Sequence, residues 1–128
     1  MFRAVLLMLL ATASTALKAE WLEVGSNETT ATYADPATIS RSDDRVKMWH
    51  LIGHATARGI EGLRPYRSIK VHGEYDCKQE RMRTLAISLH SGNMGEGEVV
   101  GASRETGDWR PVRPDTVVDT LRRFACWK

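Results

Sequence analysis

The sequence predicts an α+β fold: a small antiparallel β-sheet of about six strands, with a C-terminal amphipathic helix packed on it and held by a disulfide. Three observations predict it. The segments Tyr66–Cys77 and Met82–His90 alternate apolar and polar residues, and a period of two marks strands with one buried face. The segment "PDTVVDTLRRFACWK" places Val117, Leu121 and Phe124 at helical spacing, with Val118 and Ala125 widening the stripe. The chain has 2 cysteines, and Cys77 falls at the end of the first strand while Cys126 falls on the helix.

The elements follow in chain order. "MFRAVLLMLLATASTALKAEW" opens with a basic residue, Arg3, then an apolar run from Ala4 to Ala11, then small residues. That order is a secretory signal peptide, and the run is shorter than the roughly 20 residues a membrane-spanning helix needs. Cleavage after Ala19 makes residues 1–19 the signal and residues 20–128 a single domain. No cysteine lies in or just after the apolar run, so no lipid anchor is expected. Trp21–Val24 and Thr29–Ala34 are short strands around "GSNE", and "YADPATISRSDD" reads as turn and loop. Arg45–Ile52 carries apolar residues on both faces, as a central strand does. "GHATARGIEGLRP" has three glycines and reads as a long connection. On Tyr66–Cys77 the residues Ile69, Val71, Tyr75 and Cys77 point inward, while Ser68, Lys70, His72, Glu74 and Asp76 point outward. "KQER" turns the chain into Met82–His90, where Leu85, Ile87 and Leu89 point inward. "SGNMGEG" is a turn, Glu98–Ser103 is the sixth strand, and "DWRPVRP" is an extended lead into the helix. Asp115 or Thr116 caps the helix, Asp119 pairs with Arg123, and Arg122 and Arg123 lie near the negative end of its dipole.

Charge excludes some partners. The full chain has 18 Lys+Arg and 16 Asp+Glu, and removing residues 1–19 takes away Arg3, Lys18 and no acid, leaving 16 of each. A balanced domain is not built to neutralise nucleic-acid phosphate or to adsorb to an anionic membrane, so neither is an expected partner.

Outside the cytoplasm two cysteines tend to oxidise to each other. An inward Cys77 facing a helix that carries Cys126 suits that pairing; free thiols, a metal site or a catalytic cysteine are the alternatives. "HLIGH" puts His50 and His54 four apart, which on a strand is about 13 Å, too far for one zinc ion. "SGNMGEG" lacks a Walker lysine, no GxSxG elbow occurs, and no carboxylate pair is spaced for acid–base work. Asn27-Glu28-Thr29 is a glycosylation sequon by pattern, read here as a turn. The sequence thus points to no enzyme, no cofactor and no metal. The cations Arg64, Arg67, Lys70, Lys78, Arg81 and Arg83 are interrupted by Glu74, Asp76 and Glu80. The bland account of such a stretch is a solvated face.

The ordered set "WLEVG" from Trp21, "YADPATI" from Tyr33, "VKMW" ending at Trp49, "YRSIKVHGEYDC", "RTLAISLHSGNMGEGEVV" and "WRPVRPDTVVDTLRRFAC" resembles the surface-adhesin protein E family of exported bacterial proteins. The resemblance covers Trp21 to Cys126. It implies a small antiparallel sheet with a helix, a Cys77–Cys126 disulfide, and a place in the periplasm, at the surface or outside a Gram-negative cell. The founding member is a lipid-anchored adhesin for host matrix and plasma proteins, and this chain departs from it in lacking the lipidation cysteine. The expected function is a non-enzymatic binding protein contacting a host matrix or envelope protein; a periplasmic accessory or structural domain is the alternative. With the inward residues needed for the core, the expected contacts are Lys70, His72, Glu74, Lys78 and Arg81. Edge strands are open to pairing with a partner or a second copy as a homodimer.

Overall fold

In the computed structural model the described residues are 19–127, so the expected signal peptide lies outside them apart from Ala19. The strands are β1 (Leu22–Ser26), β2 (Thr30–Ala34), β3 (Ser40–Ser42), β4 (Arg45–Arg58), β5 (Tyr66–Asp76), β6 (Arg81–His90), β7 (Val99–Ser103) and β8 (Arg110–Pro111), followed by helix α1 (Val117–Trp127). All pair antiparallel in one sheet of order β1-β2-β4-β5-β6-β7, with β3 beside β4 and β8 beside β6.

The six expected strands are the six positions of that order. The sheet has eight because two short polar segments join it. β3 pairs the start of β4 and leaves the rest of that edge to β2; β8 pairs the start of β6 and leaves the rest to β7. "SRS" and "RP" have no apolar alternation, so only the neighbouring backbone makes them strands. β4 also runs on through "GHATAR", where a connection was expected. His54 lies opposite Thr30, the Ala55 N–H donates to the Thr29 carbonyl at 2.9 Å, and Arg58 lies opposite Tyr66. Neighbouring strands on both sides take up its backbone groups and override the glycine signal.

Parity on β5 follows the alternation, and its register with β4 sets Val46, Met48, His50 and Ile52 on the face of Tyr75, Gly73, Val71 and Ile69. The parity expected of β6 is corrected by a bulge. Thr84 lies opposite Gly73 and Ala86 opposite His72, so Leu85 is an extra residue without a partner. Two residues facing one shift the phase of the strand. Met82 therefore joins the face of Tyr75, packed against the core, while Ile87 and Leu89 remain on that face at the other end.

The helix covers one half of this face. Ala34, Val46, Met48, Tyr75, Leu121, Ala125 and Cys126 form the buried cluster, with Cys77, Met82 and Phe124 packed against it. Gly73 makes room: a Cβ there would lie 3.2 Å from the Tyr75 hydroxyl and 3.3 Å from its ring. Cys77 is bonded to Cys126 across 49 residues. Closing a loop of that size stabilises a fold by about 4 kcal/mol in the chain-entropy model, a large share of the few kcal/mol by which small domains are stable.

The helix ends are both satisfied. Thr116 Oγ1 accepts from the Asp119 N–H at 3.2 Å, while Asp119 Oδ2 accepts from the Asp115 N–H at 3.3 Å. This reciprocal cap fixes the start. Asp119 meets Arg123 at 3.5 Å, as its spacing predicts. Arg122 does not attend the C-terminus: it is buried and bonded to Asp119 at 3.0 Å. Arg41 on β3 serves the C-terminal end instead, donating to the Cys126 carbonyl at 2.6 Å.

Candidate functional site

The opposite face of the sheet is largely polar, with Leu51 buried on it beside Gly95, and is built in rows across β4, β5 and β6. Partners in register share a face. One row is Lys47, Glu74 and Arg83; the next is Trp49, His72 and Ala86; the next is Leu51, Lys70 and Ser88. Lys70, His72, Glu74 and Arg81 thus lie together on this face, with Lys78 in the β5–β6 turn.

The expectation that the whole face is solvated is corrected by its acids. Glu74 and Asp76 are each 5% exposed. Glu74 Oε1 accepts from Arg83 at 2.6 Å, and Asp76 Oδ2 from Arg81 at 3.2 Å. A buried carboxylate needs such a partner, because desolvating an uncompensated charge is costly. Asp76 also accepts from the backbone N–H groups of Lys78 (3.1 Å) and Gln79 (2.9 Å), shaping the turn. The Gln79 N–H, with the Arg81 guanidinium, holds the Asp76 carboxyl below the usual range against the opposing effect of burial. Glu74 and Asp76 place the arginines; the groups left to face outward are Lys47, Lys70 and Lys78 with the arginine planes.

Aromatic rings organise the rest. His72 stacks flat on Trp49, centroids 4.7 Å apart and planes within 3°. Burial, then the nearby Lys47, lowers the His72 pKa, while Glu74 opposes them; the ring is thus a neutral partner for the indole near pH 7. At the turn end, three guanidinium groups lie against Trp109: Arg83 at 4.4 Å, Arg81 at 4.6 Å and Arg45 at 5.2 Å from the ring centre. These are cation–π distances. The sequence marks Trp109 only as part of an extended lead into the helix. Its role follows from β8 pairing with Arg81 and Met82, which no local pattern in "DWRPVRP" signals. Beside this cluster a depression of about 520 Å³ is lined by Asp44, Lys47, Glu74, Lys78 and Arg81 among others.

His50 and His54 lie on one strand, as expected from the sequence; His50 Nδ1 and both ring nitrogens of His54 find no hydrogen-bond partner. Among the described residues no group of three or more His, Cys, Asp and Glu is placed to hold a metal ion. No helix among them is long and apolar enough to cross a membrane.

The model of the surface-adhesin protein E family matches this chain over residues 21–127, from β1 through the disulfide-linked helix. The chain belongs to the surface-adhesin protein E family. Its fold is similar to solved structures of Haemophilus influenzae protein E. One of these, crystal form II, is 13% identical with a TM-score of 0.69, covering 88% of this chain and 91% of that one. Another is 14% identical with a TM-score of 0.66, covering 88% of each. Protein E from non-typeable Haemophilus influenzae is 14% identical with a TM-score of 0.61, over 87% of this chain and 78% of that one. Among curated proteins none matches by sequence. At these identities the likeness fixes the fold, and the adhesin E sheet, helix and disulfide expected from the sequence are those observed. On that frame the polar face carries charge, hydrogen-bond donors and aromatic rings across three strands.

Proposed function

We propose that this member of the adhesin E family is an exported, non-enzymatic binding protein that contacts a protein partner through the polar face of β4, β5 and β6 and the β5–β6 turn. The partner class is a host matrix or envelope protein, met in the periplasm or at the cell surface. The observation that carries the reading is the contrast in use between the faces. The core half of one face is closed by α1, whereas the other presents Lys70, the Trp49–His72 stack, Lys78 and the Arg81–Arg83 pair over Trp109. Aromatic and arginine side chains are the groups that carry energy in protein interfaces. Lys70, His72, Lys78 and Arg81 make the contacts; Glu74 acts by holding Arg83.

The test is binding of the purified protein to immobilised host matrix proteins and, in parallel, to envelope proteins. Lys70→Glu with Lys78→Glu leaves the buried ion pairs intact. It weakens binding and flattens its dependence on salt, because rim charges act mainly on long-range attraction. Arg81 is left out of that variant because reversing it strands the buried Asp76. Unchanged binding by the folded double variant at low salt overturns the assignment of this face. Capture of envelope proteins only favours the periplasmic accessory role.

A further inference from the structure

A second feature of the polar face lies apart from the turn. A cleft of about 340 Å³ crosses it, lined by Trp21, Asp35, Thr38, Trp49, Lys70, Ser88 and His90, and also by Ala19 as long as the expected signal peptide is attached. Its residues come from both sides of the sheet. Asp35 and Thr38 flank Trp49 on the β2 side, where the Asp35 N–H donates to the Trp49 carbonyl at 3.1 Å and Thr38 Oγ1 accepts from the Trp49 N–H at 2.9 Å. Lys70, Ser88 and His90 lie on β5 and β6. From β2 to β6 is three strand spacings, about 14 Å. The volume is that of a small-ligand pocket, and two indoles with a few convergent polar groups are its usual lining.

The polar groups have a definite sign. Lys70 meets no carboxylate among the described residues, and its stem is packed against Gly95, whose missing Cβ leaves the space it occupies. The ammonium is near enough to His90 to help burial lower that imidazole's pKa, burial being the larger cause. His90 is 6% exposed, and its Nδ1 finds no hydrogen-bond partner. Its Nε2 lies 2.7 Å from Ser88 Oγ. A buried N–H without an acceptor costs more than a bare lone pair, so the neutral ring carries its proton on Nε2 and donates to Ser88. The Ser88 hydroxyl hydrogen is then free. Two donors, the Lys70 ammonium and the Ser88 hydroxyl, lie at one end of the cleft, and the carboxylate of Asp35 lies at the other. An anion is attracted at the first and repelled at the second.

We propose that this cleft is a binding site for a small carboxylate carried on a flat apolar body, an aryl-alkanoate in chemical class. Its carboxylate accepts from Lys70 and Ser88, and its ring lies along Trp49 and Trp21. The cleft shares Lys70 and Trp49 with the face assigned above to a protein partner, and the small-ligand titration reads it without that partner.

The experiment is a ¹H–¹⁵N NMR titration of the protein with 3-phenylpropionate, its neutral amide and phenethylammonium. The carboxylate is expected to shift the indole N–H signals of Trp21 and Trp49 and the amides of Lys70 and Ser88. Lys70→Met keeps the stem and removes the charge; it is expected to weaken carboxylate binding about tenfold, the size of one charge-assisted hydrogen bond, and to leave the amide unaffected. Lys47→Met, on the same face outside the cleft, is expected to change nothing. Trp21→Ala, outside the sheet strands, tests the ring contact without disturbing the strands. No shift at these residues with millimolar carboxylate overturns the proposal. So does an equal response to phenethylammonium, or carboxylate binding that survives Lys70→Met unchanged.

Discussion

On one face of the central strands Val46, Met48 and Tyr75 are wholly buried beneath a helix bonded to the sheet through Cys77 and Cys126. On the other face the same strands carry Lys47, Trp49, His72, Glu74 and Arg83, held by ion pairs and stacked rings. The first face is closed by apolar area and a covalent link, neither of which depends on pairing of charges. The second is closed by directed contacts, each of which needs its partner. A sheet arranged this way can vary its polar surface while the covered face keeps the fold.

That contrast can be broken most severely at the disulfide. Cys77→Ser with Cys126→Ser is expected to lower stability by about 4 kcal/mol, measured as a shift in the urea midpoint, and reductant should do the same to the parent protein. A loss below about 1 kcal/mol would show the apolar stripe of α1 alone holding the helix. The next effect is also on the covered face. Burial holds the His50 imidazole down to about 4 from its ordinary 6.5. Between those values the unfolded chain takes up a proton that the folded chain refuses. Stability therefore falls as pH is lowered through that window, by about 3 kcal/mol at full extent. Comparing the parent with His50→Phe isolates this share of the pH slope, because His54, His72 and His90, whose pKa values are also lowered, are common to both.

The polar face gives a smaller, conditional effect. Arg83→Met leaves the buried Glu74 without its cation and is expected to cost about 2 kcal/mol, less than for a fully buried pair because Arg83 is partly exposed. Adding Glu74→Gln should recover most of that loss, and the double-mutant cycle measures the coupling. The smallest effect returns to the core. Tyr75 is fully buried with a hydroxyl that meets no partner, and its pKa is raised by burial. Tyr75→Phe is expected to stay within about 0.5 kcal/mol of the parent or to gain slightly, since it removes an unmatched polar group and little volume. A large loss in thermal unfolding would reveal an ordered water on that hydroxyl.

Local periodicity carries the face of β5 and the stripe of α1. Ile69, Val71 and Tyr75 share a face, and the stripe of Leu121 and Ala125 brings Cys126 to Cys77. What it concealed depends on neighbours distant in the chain. The bulge at Leu85 inverts the expected parity of Met82, and nothing in "RMRTLAISLH" marks where the extra residue falls. Glu74 and Asp76 read as outward charges because alternation reports the direction of a side chain; it does not report what lies over it. The arginines around Trp109 come from two strands, Arg45 on β4 and Arg81 and Arg83 on β6, and the pairing of β8 with β6 brings Trp109 to them.

The two short strands have a consequence for how the molecule behaves at high concentration. The outer border of β4 is tiled by β3, the Thr38 hydroxyl, β2 and the Thr29 carbonyl in turn. That of β6 is tiled by β8, the Gly107 N–H bonded to the Thr84 carbonyl at 2.8 Å, and β7. Among the described residues the bare borders left are those of β1, β3, β7 and β8, none longer than five residues, the first kinked near Val24. A long, flat, unpaired strand is what templates fibril growth. Trimming the segment around Gly107 would uncover the middle of β6 and offer it as a template for aggregation while leaving the core untouched.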